Sequence, residues 1–142
     1  MLKALGSGLL GACALTLIHE TARRVAPETA PRMDVLGMRA IQKAVRAVDA
    51  EPPVPLHEAT LVADIVSNSL YYSLVGAGGR EDALRNGALL GLAAGLGAVF
   101  LPGPLGLGPQ PNRTPTTQAL TVAWYLAGGL AAGAAYAALA DE

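Results

Sequence analysis

Two histidines and the residues beside them are the first candidates for chemistry in this sequence. The chain contains two histidines, and each is followed by a glutamate, as His19-Glu20 and His57-Glu58. Imidazole and carboxylate groups are ligands that suit Zn, Fe or Mn. We therefore predict a divalent metal site from His19, Glu20, His57 and Glu58. The H-E-x-x-H spacing of zinc proteases is absent, because Leu61 stands where the second histidine would be.

A simpler interpretation places both pairs at the membrane boundary. Glu20 would then form an ion pair with Arg23 or Arg24. Glu58 would stabilise the positive N-terminal end of a helix. The histidines would lie where the bilayer meets water, and the identity of any cofactor stays open between the two interpretations.

A polar stripe runs through the mostly apolar stretch at residues 55–79. His57, Asp64 and Asn68 are spaced at i, i+7 and i+11, which places them on one face of a helix, and Tyr72 continues that side. An ionisable group inside a bilayer is costly and marks a functional site. We therefore predict a polar intramembrane site at His57, Asp64, Asn68 and Tyr72, with Asp64 turned to the bundle interior. The alternative role for Asp64 is a structural hydrogen bond.

Four apolar runs are the elements that must position these residues. Hydrophobic residues make up 52% of the 142-residue chain and charged residues 15%, whereas soluble domains carry about 25% charge. Seventeen glycines beside 4% aromatic residues suit close helix contacts in lipid. We predict a single all-α polytopic membrane domain, an integral four-helix bundle. Its spans cover approximately residues 2–19, 56–78, 83–101 and 116–140.

The first apolar run has two interpretations. It is short for a span, and Lys3 before an apolar stretch is also typical of a secretory signal sequence. Residues 10–13, Leu-Gly-Ala-Cys, resemble the lipobox of bacterial lipoproteins. The residues after Cys13 continue the apolar run, which favours an uncleaved span.

An amphipathic helix is predicted at residues 33–50, between the first two spans. Met38, Ile41 and Val45 share one face, and basic residues share the opposite one. The basic residues are Arg39, Lys43 and Arg46. The helix either caps the bundle or lies in the membrane interface with its basic face on anionic lipid headgroups.

The segment at residues 102–115 is rich in proline and glycine. Leu105 and Leu107 predict that this loop folds back on the bundle. Thr114 followed by Pro115 is a favourable pair for the start of the last helix. A Pro/Gly loop before a span of small residues also resembles bacterial inner-membrane proteins, which implies that location.

Glycines recur at every fourth position in the third and fourth runs. They are Gly87, Gly91 and Gly95 in one run and Gly129 and Gly133 in the other. Such rows let a second helix backbone approach closely in lipid. We expect one row to pack within the chain and the other to stay free, which predicts a homo-oligomer or a complex with another membrane protein.

The charges predict how the chain is oriented. Seven of the ten Lys and Arg residues lie in residues 19–55 and 102–115. The excess of basic residues in cytoplasmic loops then places both segments in the cytoplasm and both termini outside it. The net charge of −1 gives no basic surface for nucleic acid.

The function suggested by these patterns is that of a binding or scaffold subunit in the membrane. No nucleophile elbow, phosphate loop or dinucleotide fingerprint is present in the sequence, so whether the chain is an enzyme stays open. The alternative is a metal- or proton-linked transporter or enzyme that uses the His-Glu pairs and Asp64.

Overall fold

A computed structural model describes residues 1–140, and this part of the chain is all-helical with no strand. The prediction of an all-α chain is therefore confirmed for these residues. Five α-helices follow one another, and a short 3-10 turn, Ser73–Gly76, extends the third. The helices are α1 (Leu2–Val25), α2 (Met33–Ala47), α3 (Leu56–Tyr72), α4 (Ala83–Phe100) and α5 (Pro115–Leu139).

Three of these helices, α1, α4 and α5, are long and apolar enough to cross a membrane. The helix with the polar stripe, α3, has 17 residues before the 3-10 turn begins at Ser73. The Ser73 hydroxyl donates to the carbonyl of Leu70 at 2.6 Å, a bond that competes with regular helix geometry. The predicted second span therefore consists of a shorter α-helix followed by a tighter turn.

The first helix is longer than predicted, because α1 continues to Val25 and includes the residues assigned to a polar loop. Glu20 pairs with Arg23 at 2.7 Å and with Arg24 at 3.9 Å, and pairs three and four residues apart stabilise a helix. The helix ends just before Pro27, which disfavours helical geometry in the residue that precedes it. His19, predicted at the end of the first span, therefore lies within α1 and not at its last turn.

The helices pack in a sequence of neighbours around a small core. Helix α5 contacts both α4 and α1, α1 contacts α3, and α2 lies on α3. Leu15, Tyr72, Val75 and Ala132 are fully buried where these elements meet. Many leucines on the outer surface are exposed, among them Leu9, Leu17, Leu89 and Leu130.

The two glycine rows face each other across the contact between α4 and α5. A Cβ atom added at Gly91 would lie 2.6 Å from the Tyr125 carbonyl oxygen, and one added at Gly133 would lie 2.5 Å from that of Ala83. Gly87 and Gly129 meet at their backbones, and Gly95 approaches Val122. The expectation that one row stays free is therefore wrong, because each row is the other's packing surface.

Helix α1 has glycine contacts of its own that the sequence reasoning did not single out. A Cβ at Gly11 would lie 2.6 Å from the Cβ of Ala132, and Gly8 lies against the backbone of Ser69. Their spacing of three residues brings both onto neighbouring sides of α1, which therefore reaches α5 and α3 together.

The loop between α4 and α5 lies on α2, with Leu107 half-buried. Leu105 is 54% exposed. Polar groups also hold it: Arg39 donates to the carbonyls of Leu107 and Pro109, and Lys43 donates to that of Leu105. After the loop, the Thr114 hydroxyl accepts from the Thr117 backbone N–H at 3.1 Å. The predicted cap of the last helix is therefore confirmed.

Candidate functional site

An open groove separates α3 from α4 on the side of the molecule covered by α2 and the loop. Its volume is about 510 Å³. The α4 wall is made of small residues, which are Ala93, Ala94, Gly97 and Ala98. Leu36 and Ala40 of α2 and Leu105 and Leu107 of the loop complete its apolar lining. The volume falls in the range of about 300–1,000 Å³ that is usual for small-molecule sites.

Polar groups on α3 line the opposite wall of this groove. The Asn68 side-chain amide donates to Asp64 Oδ1 at 2.9 Å, one turn along the same helix. The Tyr71 hydroxyl donates to the carbonyl of Leu90 at 2.9 Å and ties α3 to α4 at one end of the groove. The groove is therefore apolar along most of its length, with one acceptor-rich position at Asp64.

A smaller chamber lies next to the groove, and Asp64 lines both. Its volume is about 60 Å³, while one water molecule needs about 10–15 Å³. His19, Asp34 and His57 come together here from three different helices. Within residues 1–140, the buried Nε2 atom of His19 and the buried hydroxyl of Thr16 have no hydrogen-bond partner.

The predicted metal ligands are only partly brought together. His19, Glu20 and His57 line the chamber, whereas Glu58 is exposed on the outer side of α3. Glu20 is engaged by Arg23. Among the residues described, no group of three or more His, Cys, Asp or Glu side chains is placed to hold a metal ion. The metal site thus remains a prediction, and it would require these side chains to move.

The four residues of the predicted polar stripe divide between two environments. His57, Asp64 and Asn68 lie along the chamber and the groove. Tyr72 is instead fully buried in the core, where its hydroxyl donates to the carbonyl of Tyr125 on α5 at 2.8 Å. Its role in this structure is to join α3 to α5.

A third cavity lies beside the groove, between α2 and the loop, and is lined by basic residues. Arg39, Lys43 and Arg46 surround it together with Gln42, and its volume is about 310 Å³. Leu107 lines both this basic pocket and the apolar groove. The three basic residues that the sequence assigned to lipid headgroups therefore share one pocket.

An ion pair secures the start of α2 next to the chamber. Arg32 donates two hydrogen bonds of 2.9 Å to the Asp34 carboxylate. Burial acts to raise the pKa of Asp34, but the hydrogen bonds and charge of Arg32 outweigh it and hold that pKa below its ordinary value. The same bonds raise the pKa of Arg32. The pair is therefore charged at neutral pH.

Sequence reasoning missed several residues of this region. Asp34 follows Arg32 by two positions, a spacing that brings no two side chains together on a regular helix. The two side chains meet here because Arg32 precedes the first turn of α2. The buried Gln110 accepts a hydrogen bond from the Arg32 backbone N–H at 2.5 Å, a contact between residues 78 positions apart that no local pattern indicates.

Comparisons with protein-family models, with curated proteins and with solved structures found no match for this chain.

Proposed function

We propose that this protein is a membrane-embedded binding subunit that receives an apolar chain in the groove between α2, α3 and α4. The observation that carries the proposal is the groove itself: about 510 Å³, with small residues on one wall and Asp64 and Asn68 on the other. A lipid or a partner's apolar segment reaches such a groove from the bilayer, which connects the binding role to the membrane location.

The proposed membrane arrangement has four spans. The 17 residues of α3 extend over about 25 Å, and the four residues of the 3-10 turn add about 8 Å. Together they match a hydrocarbon core of about 30 Å. Exposed leucines on the outer faces of α1, α4 and α5 support contact with acyl chains.

The proposed orientation places α2 and the 102–115 loop in the cytoplasm of a bacterial cell and both termini outside it. The contacts of Arg39 and Lys43 with the loop put these two segments on one side of the bundle, which supports the arrangement. Single cysteines at Arg46, Arg80 and Arg113, with Cys13 replaced by serine, test it with a membrane-impermeant thiol reagent. Positions 46 and 113 should react from one side and position 80 from the other; labelling of 46 and 80 from the same side contradicts four spans.

The binding proposal is tested by filling the groove. Gly97 lines it, and the nearest atom to a Cβ added there is the mobile end of Leu101 at 3.3 Å. Gly97→Leu should therefore place a side chain in the groove without displacing a backbone. Gly6→Leu is the matched control, because a Cβ at Gly6 meets nothing within 4 Å.

The readout is photo-crosslinking in nanodiscs with phosphatidylglycerol and phosphatidylcholine, each carrying a diazirine on one acyl chain. Peptides from 64–71 and 93–101 should be labelled above the other lipid-facing segments, and Gly97→Leu should reduce this labelling severalfold while Gly6→Leu leaves it unchanged. Equal labelling of every exposed helix face, or labelling of the groove that survives Gly97→Leu, contradicts the proposal.

The chamber beside the groove supports a second candidate function, that of a metal- or proton-linked transporter or enzyme. Its two histidines and Asp64 line one cavity, and the buried Nε2 atom of His19 has no partner within residues 1–140. Metal analysis of the purified protein beside His57→Ala tests this candidate, with Glu58→Ala as the control outside the chamber. Stoichiometric metal that is lost in His57→Ala and kept in Glu58→Ala would rank this function first.

A further inference from the structure

We infer that the groove and the basic pocket together bind one anionic phospholipid, with an acyl chain between α3 and α4 and the phosphate among Arg39, Lys43 and Arg46. This inference rests on the proposed function and names its ligand class. The two cavities are neighbours, and Leu107 lines both. A ligand with an apolar chain joined to an anionic head therefore fits the pair of cavities better than it fits either one alone.

The charge of the basic pocket selects the head of the ligand. Arg39, Lys43 and Arg46 are spaced at i, i+4 and i+7 on α2, so they project from one face of the helix. Among the residues described, no acidic side chain lines this pocket. An unneutralised group of three cations attracts an anion, and arginine is suited to phosphate oxygens because it can donate two parallel hydrogen bonds.

The loop holds two of the three cations in position before a ligand arrives. Gly106 and Gly108 have positive φ angles, 71° and 70°, which glycine adopts without strain. The loop can therefore turn its carbonyls towards α2. Arg39 Nη1 donates to the Leu107 and Pro109 carbonyls at 3.1 and 2.7 Å, and Lys43 Nζ donates to the Leu105 carbonyl at 2.5 Å.

These contacts leave donors for a ligand. The second terminal nitrogen of Arg39 makes no hydrogen bond within residues 1–140, and Lys43 Nζ has three N–H groups of which one is used. Arg46 is exposed, and its side chain makes no hydrogen bond or ion pair in the described part of the chain. Arg46 is thus the residue whose charge is free for the ligand and whose loss leaves the loop attached.

The size of the pocket and its connection to the groove distinguish the possible anions. A carboxylate offers two oxygens and one charge, whereas three cations around about 310 Å³ suit a larger glycerophosphate head. Free phosphate would fill only the basic pocket and leave the apolar groove empty. A zwitterionic head would bring an ammonium group next to the three cations, which costs electrostatic free energy. Phosphatidylglycerol is therefore the preferred probe and phosphatidylcholine the discriminating one.

The experiment measures head-group preference in the same nanodisc crosslinking assay, with diazirine phosphatidylglycerol and diazirine phosphatidylcholine in separate samples. The head-group preference is the ratio of groove-peptide labelling by phosphatidylglycerol to that by phosphatidylcholine, and in the wild type it should exceed one. Arg46→Gln should reduce that preference about fivefold, as expected for one basic residue near an anionic lipid surface, and Arg46→Glu should abolish it. Arg113→Gln is the matched control, because it removes the same charge from an exposed residue outside the basic pocket.

The outcomes separate this inference from the proposed function. Equal labelling of the wild-type groove by both lipids overturns the phospholipid inference and leaves chain binding intact. The same holds if Arg113→Gln lowers the preference as much as Arg46→Gln does, or if Arg46→Glu leaves it unchanged. Inorganic phosphate at millimolar concentration and oleate are each added as competitors of the labelling. If either one reduces it as much as phosphatidylglycerol does, the choice of a phosphate diester head is wrong. Absence of specific groove labelling by either lipid instead contradicts the proposed function.

Discussion

Helix α4 carries small residues on two sides. One side packs closely against a neighbouring helix, whereas the other lines an open space. On one side Gly87, Gly91 and Gly95 are buried against the backbone of α5. On the other side Ala93, Ala94, Gly97 and Ala98 line an open groove. The same kind of residue therefore produces a close helix contact and also one wall of an open groove.

The difference comes from what faces α4 on each side. Helix α5 presents Gly129 and Gly133, so both backbones can approach until they touch. Helix α3 presents larger residues, including Tyr71, whose ring stands between α3 and α4 where its hydroxyl reaches the Leu90 carbonyl. Two helices pack closely when both carry small residues at their contact. Small residues on one helix leave a gap when larger side chains on the other keep the two backbones apart.

The largest expected effect comes from substituting a glycine at the closed contact. Gly91→Leu should prevent α4 and α5 from packing, because its Cβ would lie 2.6 Å from the Tyr125 carbonyl and 2.7 Å from the Leu126 Cα. We expect a loss of more than about 3 kcal/mol, as overpacking against a rigid neighbour can cost this much or more. Far-UV circular dichroism and size-exclusion chromatography in detergent measure it.

Gly97→Leu is the variant to compare with Gly91→Leu, because it places the same side chain on the groove side of α4. It should fold and elute as the wild type does, since its Cβ meets only the end of Leu101 within 4 Å. If both variants fold equally well, the distinction between a closed contact and an open groove on α4 is wrong.

A smaller effect is expected from the two adjacent tyrosines, which join α3 to different helices. Tyr72→Phe removes a bond from a fully buried hydroxyl to α5, and Tyr71→Phe removes one beside the groove. We expect losses of about 1.5 and about 0.5 kcal/mol respectively, since hydrogen bonds between membrane helices are worth at most about 1.7 kcal/mol. Unfolding in mixed detergent and SDS measures both, and a larger loss for Tyr71→Phe would reverse the comparison.

Local patterns predicted the parts of the fold that one helix determines. The apolar runs located α4 and α5, and Thr114 with Pro115 marked the start of α5. The spacing of the glycines identified the residues of a close contact. Which two rows would meet depended on how the helices are arranged in space, and the sequence alone left that arrangement open.

The sequence predicted several residues of the candidate site, but it did not predict the cavities that these residues line. The α3 stripe placed His57, Asp64 and Asn68 on one face, and the pattern of α2 grouped its three basic residues. The groove exists because α3 and α4 stay apart over part of their length, and the chamber exists because three helices bring His19, Asp34 and His57 together. Such spaces depend on contacts between residues far apart in the chain, of which Gln110 with Arg32 is one.

The smallest expected effect tests what stabilises the first turn of α2, the helix that lines the groove. The α4–α5 contact is a close approach of two backbones, whereas the first turn of α2 is stabilised locally by the Arg32–Asp34 ion pair. Asp34 has a pKa lowered from 3.8 in the folded protein, so the folded state binds its proton less readily than the unfolded state does. Its contribution to stability is therefore complete above the ordinary pKa and is lost as the pH falls through the lower, folded value.

Acid should consequently loosen α2 while the α4–α5 contact holds. The protection factors of the amides at residues 33–47, which correct the exchange rates for the intrinsic slowing of exchange in acid, should fall below about pH 4. The fall should correspond to about 1 kcal/mol or less for a pair of this kind, with no change between pH 6 and 8 from this group. Asp34→Asn should show the lower protection factors already at neutral pH and lose the acid dependence. Asp49→Asn is the matched control, because Asp49 is exposed at the other end of α2 with φ of 51°, a conformation that asparagine tolerates well. If α4 and α5 open at the same pH as α2, or if both substitutions act alike, the first turn of α2 is stabilised by something other than this ion pair.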